Sequence, residues 1–343
     1  MKRITMKDIA REAGVSKATV SRVINNTNPV SEEVRKKVEM VIKKNNYRPS
    51  SIARSLSKKE TKVIGLIIPD LSNSFYSELV RGISRTAHDN GYNVFLCNTF
   101  KETELEMEFL NLLEEKEVDA IILTTFHTTE AQKDFIRKFR KPIVTVNRIF
   151  EGEGMPFVPN IDIDNYKAAY EAVDYLVKTG HKKIGVIRAD KDDNTCIDRL
   201  RGYKQVLNDN LMLIDESYII DSDFHFQAAY DGMMEVLKKE EHPDAMFCFS
   251  DELATGAIKA IIDSSLKVPE DISVVGFDDI PLAKRFIPSI TTVKQPIFKM
   301  GRIAMETIYE MIINDNKEKI TNTTLDYKFV VRNSTVVREE MKY

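Results

Sequence analysis

Two sets of side chains in this sequence could do chemistry, and in both it is the chemistry of hydrogen bonds. The first lies in GVSKATVSRVIN (Gly14 to Asn25), where the hydroxyls of Ser16, Thr19 and Ser21, the cations Lys17 and Arg22 and the amide of Asn25 crowd one short stretch. Hydroxyls and amides at a helix start, with the free backbone N–H groups there, suit phosphate oxygens. An arginine deeper in a groove suits the edge of guanine. The second set recurs after apolar runs: Asp70 and Asn73, Asn147 and Arg148, Ser250 and Asp251, Asp278 and Asp279, with Arg199 opening RLRGY and Gln295 closing ITTVKQ. Carboxylates, amides and an arginine meeting in one cleft suit bidentate binding of sugar hydroxyls or of a small acid. Phe75, Phe126 and Phe224 could cover an apolar ring face.

Covalent chemistry finds no comparable set. The glycine fingerprints of nucleotide sites, the serine elbow of hydrolases and the HExxH zinc motif are missing. The five histidines, at 88, 127, 181, 225 and 242, show no metal-ligand spacing. The three cysteines (Cys97, Cys196, Cys248) are far apart, which suits buried thiols in a reducing compartment. We expect no enzyme activity, no cofactor and no metal. A solute-binding protein without a DNA role is the alternative, which the first 60 residues and the missing secretion signal argue against.

The elements that must hold the first set lie in a basic head. Residues 1–60 carry 15 Lys and Arg against 6 Asp and Glu, whereas the whole chain is net −3. A basic head on an acidic body fits a polyanion-binding module fused to something else. Thr5, with Asp8 three residues on, opens a helix that Gly14 ends. Ser16 caps a second, and Ser31 caps a third with Val34, Val38, Val41 and Ile42 on one face. Three short helices with a glycine turn describe a helix-turn-helix, whose second helix would enter the major groove. After Pro49, Ile52, Ala53 and Leu56 share the face of a further short helix.

Residues 61–343 alternate apolar strand-like runs with amphipathic helical ones. The runs are 63–69, 93–99, 120–126, 142–148, 183–189, 218–220, 245–251 and 273–279, followed by the strand Ile290–Gln295. Such alternation means buried parallel sheets, and the number of units calls for two of them. Ligands of such sheets bind beyond the carboxyl ends of the strands. No apolar run is long enough to span a membrane.

TMKDIAREAGVSKATVSRVINN and VSEEVRKKVEMVIKKNNYRPSSIARSL resemble the headpiece and hinge of the lactose-repressor (LacI/GalR) family of bacterial transcriptional regulators. The resemblance continues through IGLIIPDLSNSFYSELVRGI, GHKKIGVI, RGY, DELATGAIKA, ISVVGFDD and TTVKQP, over essentially the whole chain. It implies that Ser16, Thr19, Ser21, Asn25 and Tyr47 contact phosphates, with Thr5 at the same interface. It implies that Lys17, Ala18 and Arg22 face base edges, and that Leu56, with Ala53 beside it, wedges into the minor groove. It carries the effector role to Asn73, Asn147, Arg199, Asp251, Asp278 and Gln295, to which the strand-end reading adds Ser250 and the ring reading Phe75. The family often has Asp where Asn147 stands, and Asn or Thr where Ser250 stands; both positions bear on ligand identity.

The expectation is thus a helix-turn-helix headpiece (1–48), a hinge helix and linker (49–61) and an effector-binding domain (62–343). That domain would be two doubly wound α/β subdomains of periplasmic-binding-protein type: an N-subdomain of 62–161 and 291–322, and a C-subdomain of 162–290 and 323–343. The function expected is that of a cytoplasmic, nucleoid-associated homodimer that represses carbohydrate-use genes. It would bind a pseudo-palindromic operator and respond to a sugar or sugar derivative. The resemblance also admits a catabolite-control regulator switched by a phosphoprotein corepressor. NSTVVREEMKY shows no leucine heptads, so no tetramerising tail is expected.

Overall fold

The computed structural model describes residues 4–25, 29–45, 47, 60–124, 128–150, 152–189, 191, 193–314 and 320–338. The chain divides into two compact units, Met1–Thr61 and Lys62–Tyr343. The expected hinge residues Ala53 and Leu56, and Phe126, lie outside the described residues.

In the first unit α1 (Met6–Ala13) opens on Thr5, which receives the Asp8 N–H while the Asp8 carboxylate receives the Thr5 N–H at 3.0 Å. This is the reciprocal cap that T-x-x-D encodes. Gly14, at φ 66, ends the helix in the left-handed conformation that a Cβ disfavours. Helix α2 (Lys17–Asn25) opens on Ser16, whose Oγ accepts the Thr19 N–H at 3.0 Å, and α3 (Glu32–Lys44) opens on Ser31. Ile9, Ala10, Ala13, Val20, Val23 and Val38 form the core, with Val15, Val34, Val41, Ile42 and Tyr47 packed around it. Lys44 and Asn45 both donate to the Glu12 carboxylate, at 2.8 and 2.9 Å, tying the end of α3 to α1.

The second unit holds two six-stranded sheets. The first is built from β1 (Val63–Ile68), β2 (Asn93–Asn98), β3 (Ala120–Leu123), β4 (Ile143–Val146), β5 (Asn160–Ile163) and β11 (Thr323–Leu325), in the order β11-β5-β4-β3-β1-β2. The second takes β6 (Ile184–Arg188), β7 (Ile219–Asp221), β8 (Ala245–Cys248), β9 (Ser273–Asp278), β10 (Thr291–Lys294) and β12 (Lys328–Val330), in the order β12-β10-β9-β8-β6-β7. Every pairing is parallel except β10 with β12. The central strands β3, β4, β8 and β9 are buried along their whole length, which is why they read as unbroken apolar runs.

Nine helices of the second unit are described: α4 (Ser74–Asp89), α5 (Thr103–Glu115), α6 (Glu130–Lys138), α7 (Asn165–Lys178), α8 (Asn194–Asp209), α9 (Phe226–Leu237), α10 (Asp251–Asp263), α11 (Pro281–Arg285) and α12 (Ile297–Ile313). Helices α4 and α12 lie in close contact because glycines notch both: a Cβ on Gly82 would stand 2.2 Å from the Phe298 carbonyl, and one on Gly301 2.3 Å from that of Leu79.

The chain passes between the sheets at three places. It leaves the first sheet after Ile163, close to the expected 161, because β5 pairs with β11 through that residue. It returns after Lys294, not near 291, because Thr291–Lys294 pairs with β9 and β12 and so belongs to the second sheet. The last passage falls between Leu325 and Lys328, not near 322.

Candidate functional site

On α2 the residues free of the core are the polar ones. Ser16, Lys17, Ala18 and Arg22 are exposed, and Thr19 and Ser21 partly so, whereas Val20 and Val23 are buried. Ser16 and Thr19 share a hydroxyl contact of 2.9 Å, which holds the two hydroxyls together at the helix start. Thr5 is exposed beside the α1 cap, and Tyr47 is half-buried on the edge of the core. Asn25 closes α2. An exposed face of hydroxyls and cations opening with free N–H groups can bind a polyanion.

In the second unit a cavity is lined by Asn73, Phe75, Tyr76, Thr124, Asn147, Thr195, Arg199, Phe224, Asp278 and Gln295. Most stand just past the carboxyl end of a strand, where a ligand site in such sheets belongs. Asn73 follows β1 and caps α4, its Oδ1 accepting the Phe75 N–H at 2.9 Å. Thr124 follows β3, Asn147 β4 and Gln295 β10, while Asp278 ends β9. Three lining residues hold left-handed backbones: Asn147 at φ 58, Phe224 at φ 67 and Asp278 at φ 109. Residues without glycine's freedom adopt that geometry where the surroundings impose it, and functional sites are where it gathers.

The polar groups are mostly committed to one another. Arg199, on α8, donates Nε to Asn165 Oδ1 at 2.9 Å and Nη1 to the Phe249 carbonyl at 2.5 Å, and lies 3.7 Å above the Phe277 ring. Nη2 takes part in neither of these bonds. Gln295 gives Nε2 to Asp278 Oδ1 at 2.7 Å. Two acceptors, Asn147 Oδ1 and Gln295 Oε1, are buried and accept no hydrogen bond from the described residues, so both are available to a donor. Burial pushes the Asp278 carboxyl up to about 7, against the opposing pull of Arg199 and Gln295. Burial likewise raises Asp162 to about 7, against the bonds it accepts from the Ile163 N–H and the Asn165 amide. Burial, with Asp193 and Asp278 close by, holds the Tyr76 hydroxyl well above its usual range. The cavity measures about 30 Å³, well below the several hundred cubic ångströms of a usual small-molecule pocket.

Six of the eight residues expected at the effector site line this cavity: Asn73, Phe75, Asn147, Arg199, Asp278 and Gln295. Ser250 and Asp251 do not. Ser250 caps α10, accepting the Leu253 N–H at 3.2 Å. Asp251 turns inward, accepting from Thr292 Oγ1 at 2.6 Å and the Ile280 N–H at 2.8 Å. Arg148 likewise turns away, into a buried pair with Glu106 at 3.2 Å under the Phe150 ring. Asp279 pairs with Arg332 and with Lys294. Tyr76, Thr124 and Thr195 were missed; Thr124 carries the same signal as the rest, a polar residue closing an apolar strand.

A headpiece with this exposed helix, and a two-sheet body with a polar cleft at its strand ends, define an effector-responsive DNA-binding regulator. The family comparison agrees: residues 5–50 match the model of bacterial regulatory proteins of the lacI family, and residues 61–333 that of periplasmic binding proteins and the sugar-binding domain of the LacI family. The chain belongs to the LacI family and is a DNA-binding transcriptional regulator with a ligand-binding domain. It is 40% identical to the transcriptional regulator RegA of Clostridium acetobutylicum over 96% of this chain and 98% of that one. Among solved structures it resembles the Lac repressor dimer bound to operator and the anti-inducer ONPF, with TM-score 0.88, 26% identity and coverage of 98% of this chain and 100% of that one. It also resembles a LacI-family regulator from Enterococcus faecium with bound ribose, with TM-score 0.72, 25% identity and coverage of 81% and 100%.

Proposed function

We propose that this chain is a cytoplasmic homodimer that represses carbohydrate-use genes and is released from, or recruited to, a pseudo-palindromic operator by a sugar-type effector. The reading is carried by one juxtaposition: a basic helix-turn-helix shares a chain with a cleft that buries two acceptors with no hydrogen bond from the described residues. In it Ser16, Thr19, Ser21, Asn25, Tyr47 and Thr5 position the head on phosphates, and Lys17, Ala18 and Arg22 read bases. Ala53 and Leu56 belong to the same proposal through the sequence resemblance. Asn73, Asn147, Asp278, Gln295 and Arg199 Nη2 take the effector's hydroxyls, with Phe75 and Phe224 against its ring.

The effector controls DNA affinity only as far as it binds the closed and open clefts differently. Linkage then requires operator DNA to change effector affinity by the factor by which effector changes operator affinity. The test selects duplexes from a random pool, then titrates the selected operator by fluorescence anisotropy with and without D-ribose, other pentoses, hexoses and disaccharides. Selection of a two-fold-related site and a shift with one sugar class are the expected results. A pool without enrichment refutes the DNA reading; an enriched operator indifferent to every sugar refutes the effector reading.

A further inference from the structure

We propose that Lys101 is a positioning residue that latches the cleft shut by tying the loop after β2 to the backbone on either side of Phe224. The proposal rests on the reading of the cleft as the effector site. Lys101 Nζ donates to the Asp223 carbonyl and stands 3.2 Å from His225 Nε2. Phe224, between them, walls the cavity. Lys101 is not among the residues that line the cavity.

The strand order shows why the contact matters. The three chain passages between the sheets leave from β5, β10 and β11, and β5 with β11, and β10 with β12, stand at one end of their sheet orders. Lys101 follows β2 and Phe224 follows β7, and these are the strands at the opposite ends. Covalent connections thus hinge one side of the two-sheet body, and the lysine joins the side that opens furthest. A contact at the free side of a hinge resists opening with the longest lever arm.

The backbone is shaped for the contact on both sides. Phe100 and Lys101 are consecutive left-handed residues, at φ 52 and 66, and Phe224 stands at φ 67. Two adjacent positive φ values are the signature of a primed turn, which Gly, Asn and Asp favour and Phe and Lys do not, so the surroundings hold the loop. The turn at Phe100–Lys101 delivers the ammonium, and the turn at Phe224 presents the Asp223 carbonyl while placing the ring against the cavity. One contact therefore sets both the closure and the ring position.

The test needs no ligand. Spin labels on Glu108→Cys and Asp231→Cys, both exposed, report the distance across the cleft in the full-length chain, spin-diluted with unlabelled protein. The native Cys97, Cys196 and Cys248 are buried. The expected result is one dominant short distance in the reference protein and a longer-distance population in Lys101→Met. The closed-to-open ratio should fall about threefold to tenfold, the lower range for a charged donor because the lysine is partly exposed. Lys101→Arg, which keeps charge and donors, should restore the short distance. A Lys101→Met distribution that superimposes on the reference overturns the latch, as does an arginine variant as open as the methionine one. Failure of every sugar to bind would leave this result standing and would count against the effector reading alone.

Discussion

Replacing Asp278 by Asn should make the second unit more stable, and increasingly so as pH rises. The carboxyl is buried and pushed up to about 7 from its ordinary 3.8. A carboxyl raised on folding binds more protons folded than unfolded between those two values, so stability falls as pH rises through that window. At 1.36 kcal/mol per decade of proton affinity, the ionised carboxylate is disfavoured by about 4 kcal/mol above pH 7. Asparagine stands in for the protonated carboxyl: it is uncharged, and its Oδ1 can still accept from Gln295 Nε2. The stability gained should therefore be about 1.5 kcal/mol at pH 5 and should level off at about 4 kcal/mol above pH 7.5. Asp162 and Asp193, raised mainly by burial, remain in both proteins and cancel, whereas Asp251, raised by its own burial and then by the neighbouring Asp278, is relieved in the variant and adds to the gain in the same direction. The chain lacks tryptophan, so urea unfolding at pH 5, 6, 7 and 8 is best followed by far-ultraviolet circular dichroism. A difference that does not change with pH, or a variant less stable at pH 8, would refute the reasoning.

Three other substitutions probe the remaining features. Arg22→Ala should cost about 1–3 kcal/mol on the selected operator, relax preference at one base position and leave a steep salt dependence, all measured by anisotropy between 50 and about 200 mM salt; equal loss on every duplex would count against base reading. Gly82→Ala forces a Cβ towards the Phe298 carbonyl and should destabilise the second unit by about 1–3 kcal/mol in urea, with an unchanged midpoint speaking against the notch. Glu106→Leu leaves the Arg148 guanidinium buried without its carboxylate and should cost about 3–5 kcal/mol; a loss below about 1 kcal/mol would mean that Thr128 and Gln132 suffice to hold it.

What the sequence made legible follows from burial. The headpiece was readable because its signals are local: Thr5, Gly14, Ser16 and Ser31 each act within four residues. The long strands were readable because parallel strands covered on both faces are apolar throughout. β5, with Asp162 in its middle, and the three-residue β11 and β12 offered no periodicity to detect. At the cleft, the strand-end rule located six residues, but position along a strand does not say which way a side chain turns. Ser250 and Asp251 closed the right strand and turned to a cap and a brace. The burial of Asn147 Oδ1 and Gln295 Oε1 without a hydrogen bond had no sequence signal, since it depends on how side chains from two different sheets come together.

The threading of the chain between the two sheets has a consequence for its synthesis. The first sheet takes its edge strand β11 from residues 323–325, and α12, which packs against α4, β3, β4 and β5, from residues 297–313. A nascent chain that has already delivered β1 to β5 must wait until most of its 343 residues have left the ribosome before that sheet can be completed. The second sheet waits as long for β12. The headpiece, whose core contacts all lie within residues 6–47, can fold first and alone. A chain released early would therefore carry a folded DNA-binding head on an unfinished and sticky body. The unit that touches the genome is completed well before the unit that governs it.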